Sequence, residues 1–271
     1  MLSSMTRRKP KVGQYANVDL RAYLASVGAL RHEQSADIVS FVQPFVPAGS
    51  RVLDIGCGFG SFLMRAQKAG YVVNGIEPDA DACAGANAAL GADVVRHGTL
   101  DQVPPAPGTM DLVATLDVLE HVSVDFQAQF AALIRTSLRA DGHWVIKVPS
   151  TEGLYYQTSA LLARVAPPIG VPYQRRLWQT DYEFPHTVYF DRHSLTRWLA
   201  RHGFAVAAWE YLEEVPTRNI IDRLSHDGDI SRFQAYLMTP AVYAINVVER
   251  IRRCSDALVL LARPMAPGTS R

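Results

Sequence analysis

Asp54, Gly56, Gly58 and Gly60 are crowded into the stretch VLDIGCGFG, and a second acid, Glu77, ends the next apolar run in GIEPD. A strand that finishes in closely spaced glycines and opens a helix lets backbone N–H groups approach a bound molecule with no Cβ in the way. Nucleotide cofactors occupy such corners. The dinucleotide fingerprint G-x-G-x-x-G is only half met: Gly56 and Gly58 fit, Ser61 stands at the third place and Gly60 comes one residue early. The phosphate-loop alternative fails because no Gly-Lys-Ser/Thr follows. An acid about 20 residues beyond the turn is placed to accept hydrogen bonds from ribose hydroxyls, which gives Glu77 a role. Asp54 repels a pyrophosphate but orders the turn and favours a cationic ligand, pointing away from a nicotinamide dinucleotide and towards a sulfonium nucleoside. Cys57, between two glycines, reads as small filler.

These residues need a frame. From residue 51 the text alternates β-rich runs with helical patterns: RVLDI then SFLMRAQKAG, YVVNGIE then DADACAGANAALG, ADVVRHG, MDLVATLDVL then FQAQFAALIRTSLRADG, and HWVIKVP. Strands separated by helices give a parallel sheet covered on both faces. Gly70, Gly91 and Gly142 follow helical runs, where a left-handed cap is expected. Residues 18–46 predict one or two helices lying over the cofactor cleft. Downstream, DRHSLTRWLARHG predicts a helix capped by Asp191, FAVAAWEYL and DALVLLARP predict strands, and residues 217–253 predict a helical insertion with a helix start at Thr239 and Pro240. Residues 151–190 are too long for a simple connection, hold many aromatic residues and predict an acceptor-side lid or pocket wall, with TSALLARVA as a helix.

With 48% hydrophobic and 20% charged residues over 271 positions, the chain is long enough to bury a substantial core. Basic and acidic residues number 27 and 26, so no whole-chain field favours nucleic acid as partner. The three scattered cysteines lack zinc or disulfide spacing and suit a reducing compartment, hence a cytoplasmic location. Residues 1–17 carry basic residues without an apolar run behind them and read as a flexible tail rather than a secretory signal. FQAYLMTPAVYAINVV is too short and too polar for a membrane span, though an amphipathic helix touching lipid or an apolar substrate is compatible with it.

The ordered set of motifs resembles the class I S-adenosylmethionine-dependent methyltransferases, in particular the group of ubiquinone-biosynthesis-like, sugar and natural-product enzymes. The resemblance covers about residues 30–150 and continues more weakly to the end. VLDIGCGFG resembles the family's glycine motif, GIEPD its ribose-acid motif, DLVATLDVLEHV its fourth strand and following loop, and LRADGHWVIKVPS its fifth strand. PHTVYFDRHSLTRWLARHGF resembles the segment before the sixth strand, and DALVLLARP the antiparallel seventh. The resemblance implies an α/β, Rossmann-like, seven-stranded, mostly parallel sheet with an antiparallel last strand, helices on both faces, and a single methyltransferase domain over residues 18–271. Residues 18–50 would supply its N-terminal helices. S-adenosylmethionine is the implied cofactor. Gly56 and Gly58 would lie against its methionine part and Glu77 on its ribose, with Asp54, Cys57, Gly60 and Pro78 completing that wall. Leu116 and Asp117 would contact it through backbone. Where the family often has an acid near the adenine, this chain has Thr99 and Leu100.

Methyl transfer needs alignment above all, and an oxygen acceptor also needs its proton removed. His121, after the fourth strand, and His186, in EFPHTVYF, are the candidate bases; each also reads as a hydrogen-bonded loop histidine. Tyr155, Tyr156, Tyr182 and Glu183 are candidate acceptor contacts. Arg175 and Arg176 suit an anionic acceptor or simple solvation, and His32 with Arg31 could approach the cofactor carboxylate. No metal set is apparent. The expected activity is methylation of a small-molecule or glycan acceptor at oxygen, with room for a homodimer. A non-catalytic cofactor-binding module and an RNA or protein methyltransferase are the alternatives. The Asn/Asp-Pro-Pro-aromatic motif of amino-methylating relatives is replaced here by LDVLEH.

Overall fold

The computed structural model describes residues 27–181, 184–213, 220–225 and 231–266, without the side chains of residues 27–30, 222 and 223. The expected tail at 1–17, the first part of the N-terminal helical region, Tyr182 and Glu183 lie outside the described residues.

Strands β1 (Arg51–Ile55), β2 (Val72–Glu77), β3 (Val95–His97), β4 (Met110–Leu116), β5 (Leu138–Pro149), β6 (Phe204–Leu212) and β7 (Ala257–Pro264) form one sheet in the order β3-β2-β1-β4-β5-β7-β6. The first five pair in parallel, and β7 inserts antiparallel between β5 and β6. This is the seven-stranded, helix-covered, Rossmann-like sheet that the sequence predicts. β1 pairs with both β2 and β4, so strand order reverses there and a crevice opens beyond the carboxyl ends of β1 and β4.

Alternate strand residues feed two cores. Val259 and Leu261 of β7 pack with α1 (Val27–Val42), α2 (Ser61–Lys68) and α3 (Ala80–Leu90) on one face. Leu258, Leu260 and Ala262 pack with α4 (Val124–Ser137) and α7 (Arg192–Arg201) on the other. Burial on both faces explains why DALVLLARP is an almost unbroken apolar run. Trp144 lies in the second core, where its indole N–H donates to Thr115 Oγ1 at 2.9 Å.

Helix starts follow the sequence signals at Asp79, which accepts from the N–H groups of Asp81 and Ala82, and at Asp191, which forms a capping box with Ser194. Two expectations need correction. Gly70 and Gly91 do end helices with positive φ, but α4 stops at Ser137 and Gly142 lies inside β5. Leu138 is buried against the sheet and pairs with Met110, which draws the chain into the strand early. The register then shifts, and a Cβ on Gly142 would come within 3.0 Å of the Met110 carbonyl. The second correction concerns α9 (Arg232–Arg252), which starts upstream of Thr239 and Pro240, at a Ser231–Gln234 capping box, and holds Pro240 in its interior.

Residues 151–190 leave the end of β5, form α5 (Leu154–Val165) and α6 (Pro167–Leu177), and return at Phe190, which bridges to Ser150. The sequence marked only the first of these helices. Its amino end is held by acids from afar: Leu154 N–H donates to Glu249 Oε1 at 2.7 Å, and those of Tyr155 and Tyr156 donate to Asp256 at 3.0 and 2.7 Å. α8 (Ile220–Ser225) precedes α9.

Candidate cofactor and acceptor site

The turn after β1 has φ values of 70°, 53° and 78° at Gly56, Gly58 and Gly60, a left-handed course that side chains disfavour. Glu77, at the tip of β2, closes this turn. Its Oε2 accepts from Gly58 N–H at 2.7 Å and its Oε1 from Asp79 N–H at 3.0 Å. A carboxylate has about four acceptor positions, so both oxygens keep capacity for hydroxyl donors. Burial raises the Glu77 pKa, and these backbone donors oppose the rise.

Asp54 is buried at the end of β1, and its Oδ1 has no hydrogen-bond partner. Burial and then the charge of Glu77 push its pKa well up, while Arg31 on α1 pulls the other way. The Arg31 charge also acts on Glu77, Asp117 and Glu120, which places α1 at the carboxyl edge of the sheet. His32 faces elsewhere: Arg65 Nε donates to its carbonyl at 3.3 Å, and burial with Arg65 and Lys68 lowers its pKa.

Asp117 follows β4 with a left-handed backbone (φ 58°) and accepts Lys147 Nζ at 2.7 and 2.8 Å. Burial opposes its ionisation, yet the lysine prevails and the pKa is lowered. Sequence reasoning missed Lys147, whose place on β5 beside β4 becomes visible only once the strands are paired. Leu116 lies next to Asp117 and packs against the first core. Leu100 is buried in the second core with Leu53 and Ile76, so its side chain faces away from the crevice. Thr99 is exposed and bonds Asp101, and the Pro78 carbonyl contacts His97 Nε2 at 3.0 Å. Cys57 is buried as small filler, its thiol pKa raised by burial.

On the acceptor side, a 3-10 turn at Leu119–His121 meets the returning segment. Thr187 N–H donates to the Glu120 carbonyl at 2.7 Å and its hydroxyl to that of Val122 at 2.9 Å. This brings the rings of His121 and His186 to 4.8 Å, edge to face. Tyr189 Oη donates to the Leu177 carbonyl at 2.7 Å, so its oxygen can receive His186 Nδ1–H at 3.2 Å. That tautomer leaves the His186 Nε2 lone pair available. Burial, with a further contribution from His121, takes His186 down to about 4. The His121 pKa is lowered by burial, and its Nδ1 lacks a partner. Glu120 is 1% exposed with an unpartnered Oε2, and burial first, then Asp117, raises its pKa well above its ordinary value. One ligand atom from each of Glu120, His121 and His186 lies within 4.8 Å of the others, a group that could hold a metal ion.

Tyr156, Trp178 and Tyr189 form an aromatic wall beside His186, with centroids 4.6–5.0 Å apart. Tyr155 points elsewhere, its hydroxyl on Asn246 of α9 at 3.2 Å. Arg175 forms an exposed pair with Asp181 at 2.6 Å.

A parallel sheet with a glycine turn after β1, an acid at the tip of β2 and an orphaned buried carboxylate between them defines an α/β protein built to receive a ribose-bearing, positively charged cofactor. Residues 28–208 match the family described as "Methyltransferase domain". The chain belongs to this family: it is a class I S-adenosylmethionine-dependent methyltransferase, and S-adenosylmethionine is its cofactor. It is 31% identical over 124 residues to the ribosomal protein L11 methyltransferase of a Nitratiruptor species, covering 44% of each chain. The chain thus matches less than half the length of that curated relative. Among solved structures, a chain from the complex between the Haloferax volcanii Trm112 methyltransferase activator and a methyltransferase superposes with TM-score 0.58 at 15% identity, covering 91% of this chain and 97% of the other. The 1,6-didemethyltoxoflavin-N1-methyltransferase of Burkholderia thailandensis, with bound S-adenosylhomocysteine, gives 0.53 at 15%, covering 87% and 79%. Among the described residues no helix is long and apolar enough to cross a membrane.

Proposed function

We propose that this methyltransferase acts on an oxygen of a small-molecule or glycan acceptor, with His186 as the base. The supporting observation is the His186 ring, held at Nδ1 by Tyr189 at 3.2 Å and standing 4.8 Å from His121.

Bound S-adenosylmethionine supplies a methyl carbon on a positively charged sulfur that leaves as a neutral thioether. Glu77 would accept the ribose hydroxyls, and the glycine turn, Gly56 to Gly60, would lie under the methionine arm. A positively charged cofactor would oppose the burial that raises the Asp54 pKa and so favour its ionised form at the end of β1. Pro78 and Thr99 would border the adenine, Leu116 and Asp117 would face the cofactor through backbone, and Leu100 would support that wall from the core. The acceptor hydroxyl gives its proton to His186 Nε2 as its oxygen attacks. Tyr156 would line the acceptor pocket. Tyr182 and Glu183 are proposed contacts outside the described residues.

Asp117 and the Leu177 carbonyl would favour the imidazolium formed on His186, whereas burial and His121 oppose it and hasten its loss of the proton. Burial first and then Asp117 raise the Glu120 pKa, a bias towards the neutral form that suits a hydrogen-bond donor better than a cation ligand. The cytoplasm is the proposed location.

The test is a screen of hydroxylated small molecules and glycans with labelled methyl donor. Label on an oxygen supports the proposal. Label found only on protein or RNA contradicts it, and cofactor binding without any transfer assigns the chain to the non-catalytic alternative.

A further inference from the structure

α9 presents an unusual outer face. Phe233, Leu237, Val247 and Ile251 are 71%, 62%, 55% and 77% exposed, and Pro240 and Ala244 continue the stripe between them. These positions advance in alternating steps of four and three residues, which keeps them on one side of a helix. The opposite side is the one that docks on the protein, through Ala235, Val242, Asn246 and Glu249. Tyr236 and Tyr243, also largely exposed, flank the apolar stripe.

Exposed charge on this element has one sign. Arg232 stands at the amino end and Arg250, Arg252 and Arg253 at the carboxyl end, all exposed, whereas the helix's acid, Glu249, is buried beneath α5. α5 meets α9 through Leu154 and Tyr155 at its amino end, and α5 and α6 share its composition. Residues 154–180 contain no acid, carry Arg164, Arg175 and Arg176, and expose Leu161, Val165 and Ile169 to 59%, 69% and 56%. Arg250 and Arg175 are paired with Glu213 and Asp181 at 2.6 Å each, while Arg164, Arg232, Arg252 and Arg253 add exposed cations beside the apolar surface.

We infer that α9 is a docking surface for an anionic phospholipid membrane, on which the helix lies flat. An apolar stripe bordered by arginines is the arrangement of interfacial helices, whose cations meet lipid phosphates while the apolar side chains enter the headgroup boundary. A second copy of the chain is a poorer occupant. Antiparallel pairing would set Arg232 of one helix against Arg250, Arg252 and Arg253 of the other, parallel pairing would stack like ends, and the helix exposes no acid to offset either.

Co-sedimentation of the full chain with vesicles tests this, independently of the acceptor. With vesicles of phosphatidylglycerol and phosphatidylcholine the chain pellets at low salt. It stays in solution with phosphatidylcholine alone or at high salt. The double variant Leu237→Glu/Val247→Glu, which changes exposed positions and keeps S-adenosylmethionine binding, loses affinity for the anionic vesicles about tenfold or more. Arg252→Glu/Arg253→Glu also weakens binding and its dependence on salt. Failure of the wild-type chain to pellet with anionic vesicles overturns the inference. So does a wild-type dimer, seen by light scattering, that Leu237→Glu/Val247→Glu splits without any effect on vesicle binding.

Discussion

Lys147 of β5 reaches across to Asp117 beyond the end of β4 and holds both carboxylate oxygens, at 2.7 and 2.8 Å, while Asp117 keeps a left-handed backbone. The pair fixes the loop that carries Glu120 and His121. Because Lys147 is buried, Lys147→Met leaves Asp117 without its counter-charge and lowers stability by about 3 kcal/mol, the lower end of the usual range since Asp117 retains some exposure. Thermal or urea unfolding measures this, and an unchanged midpoint contradicts the structural role.

His186 is held down to about 4, so it is already neutral and able to accept a proton at every pH from mildly acidic upward. Turnover should therefore fall only as the pH approaches that value, with no inflection near the ordinary histidine value of 6.5. His186→Ala should slow turnover about a hundredfold or more while cofactor affinity stays near wild type. A turnover profile with a limb near 6.5, or full activity in the variant, returns His186 to a packing role.

Divalent cations give a separate test of the Glu120–His121–His186 group. If it moves protons, dialysis against a strong chelator leaves turnover unchanged. Activity lost on chelation and restored by one added divalent cation would instead make the group a metal centre.

Glu210 of β6 is raised from 4.5 to about 7, by burial first and then by Asp37. The folded state therefore favours its protonated form. That stabilisation is complete below the unfolded value and is lost as pH rises through about 7. Glu210→Gln should melt above wild type at alkaline pH and alongside it at acid pH. A variant less stable than wild type at alkaline pH reverses the sign and rejects the assignment.

Local signals carried much of the fold. Glycines at positive φ, apolar runs for strands buried on both faces, and acids at helix starts all act within a few residues, so β1, β2, the caps at Asp79 and Asp191 and the apolar β7 could be read directly. Gly142 was misread because its role is a close approach to Met110, a contact set by register rather than by neighbours. Pro240 misled because a stronger capping box at Ser231 and Gln234 starts the helix earlier and the proline is carried along. In the site, Lys147 escapes sequence reading because it meets Asp117 only once β4 and β5 pair, and Arg31, named with His32 for the cofactor carboxylate, could not be linked to its acids before α1 was packed on the sheet. The approach of His186 to His121 depends on Thr187 bonding the loop after β4, a link spanning 67 residues.

Calorimetry of S-adenosylmethionine binding tests the cofactor assignment most directly. The wild-type chain binds, Glu77→Gln binds more weakly, and Glu77→Ala, stripped of both hydroxyl acceptors, loses about 3 kcal/mol, a factor of about a hundred or more. Affinity unchanged in a folded Glu77→Ala protein would contradict it.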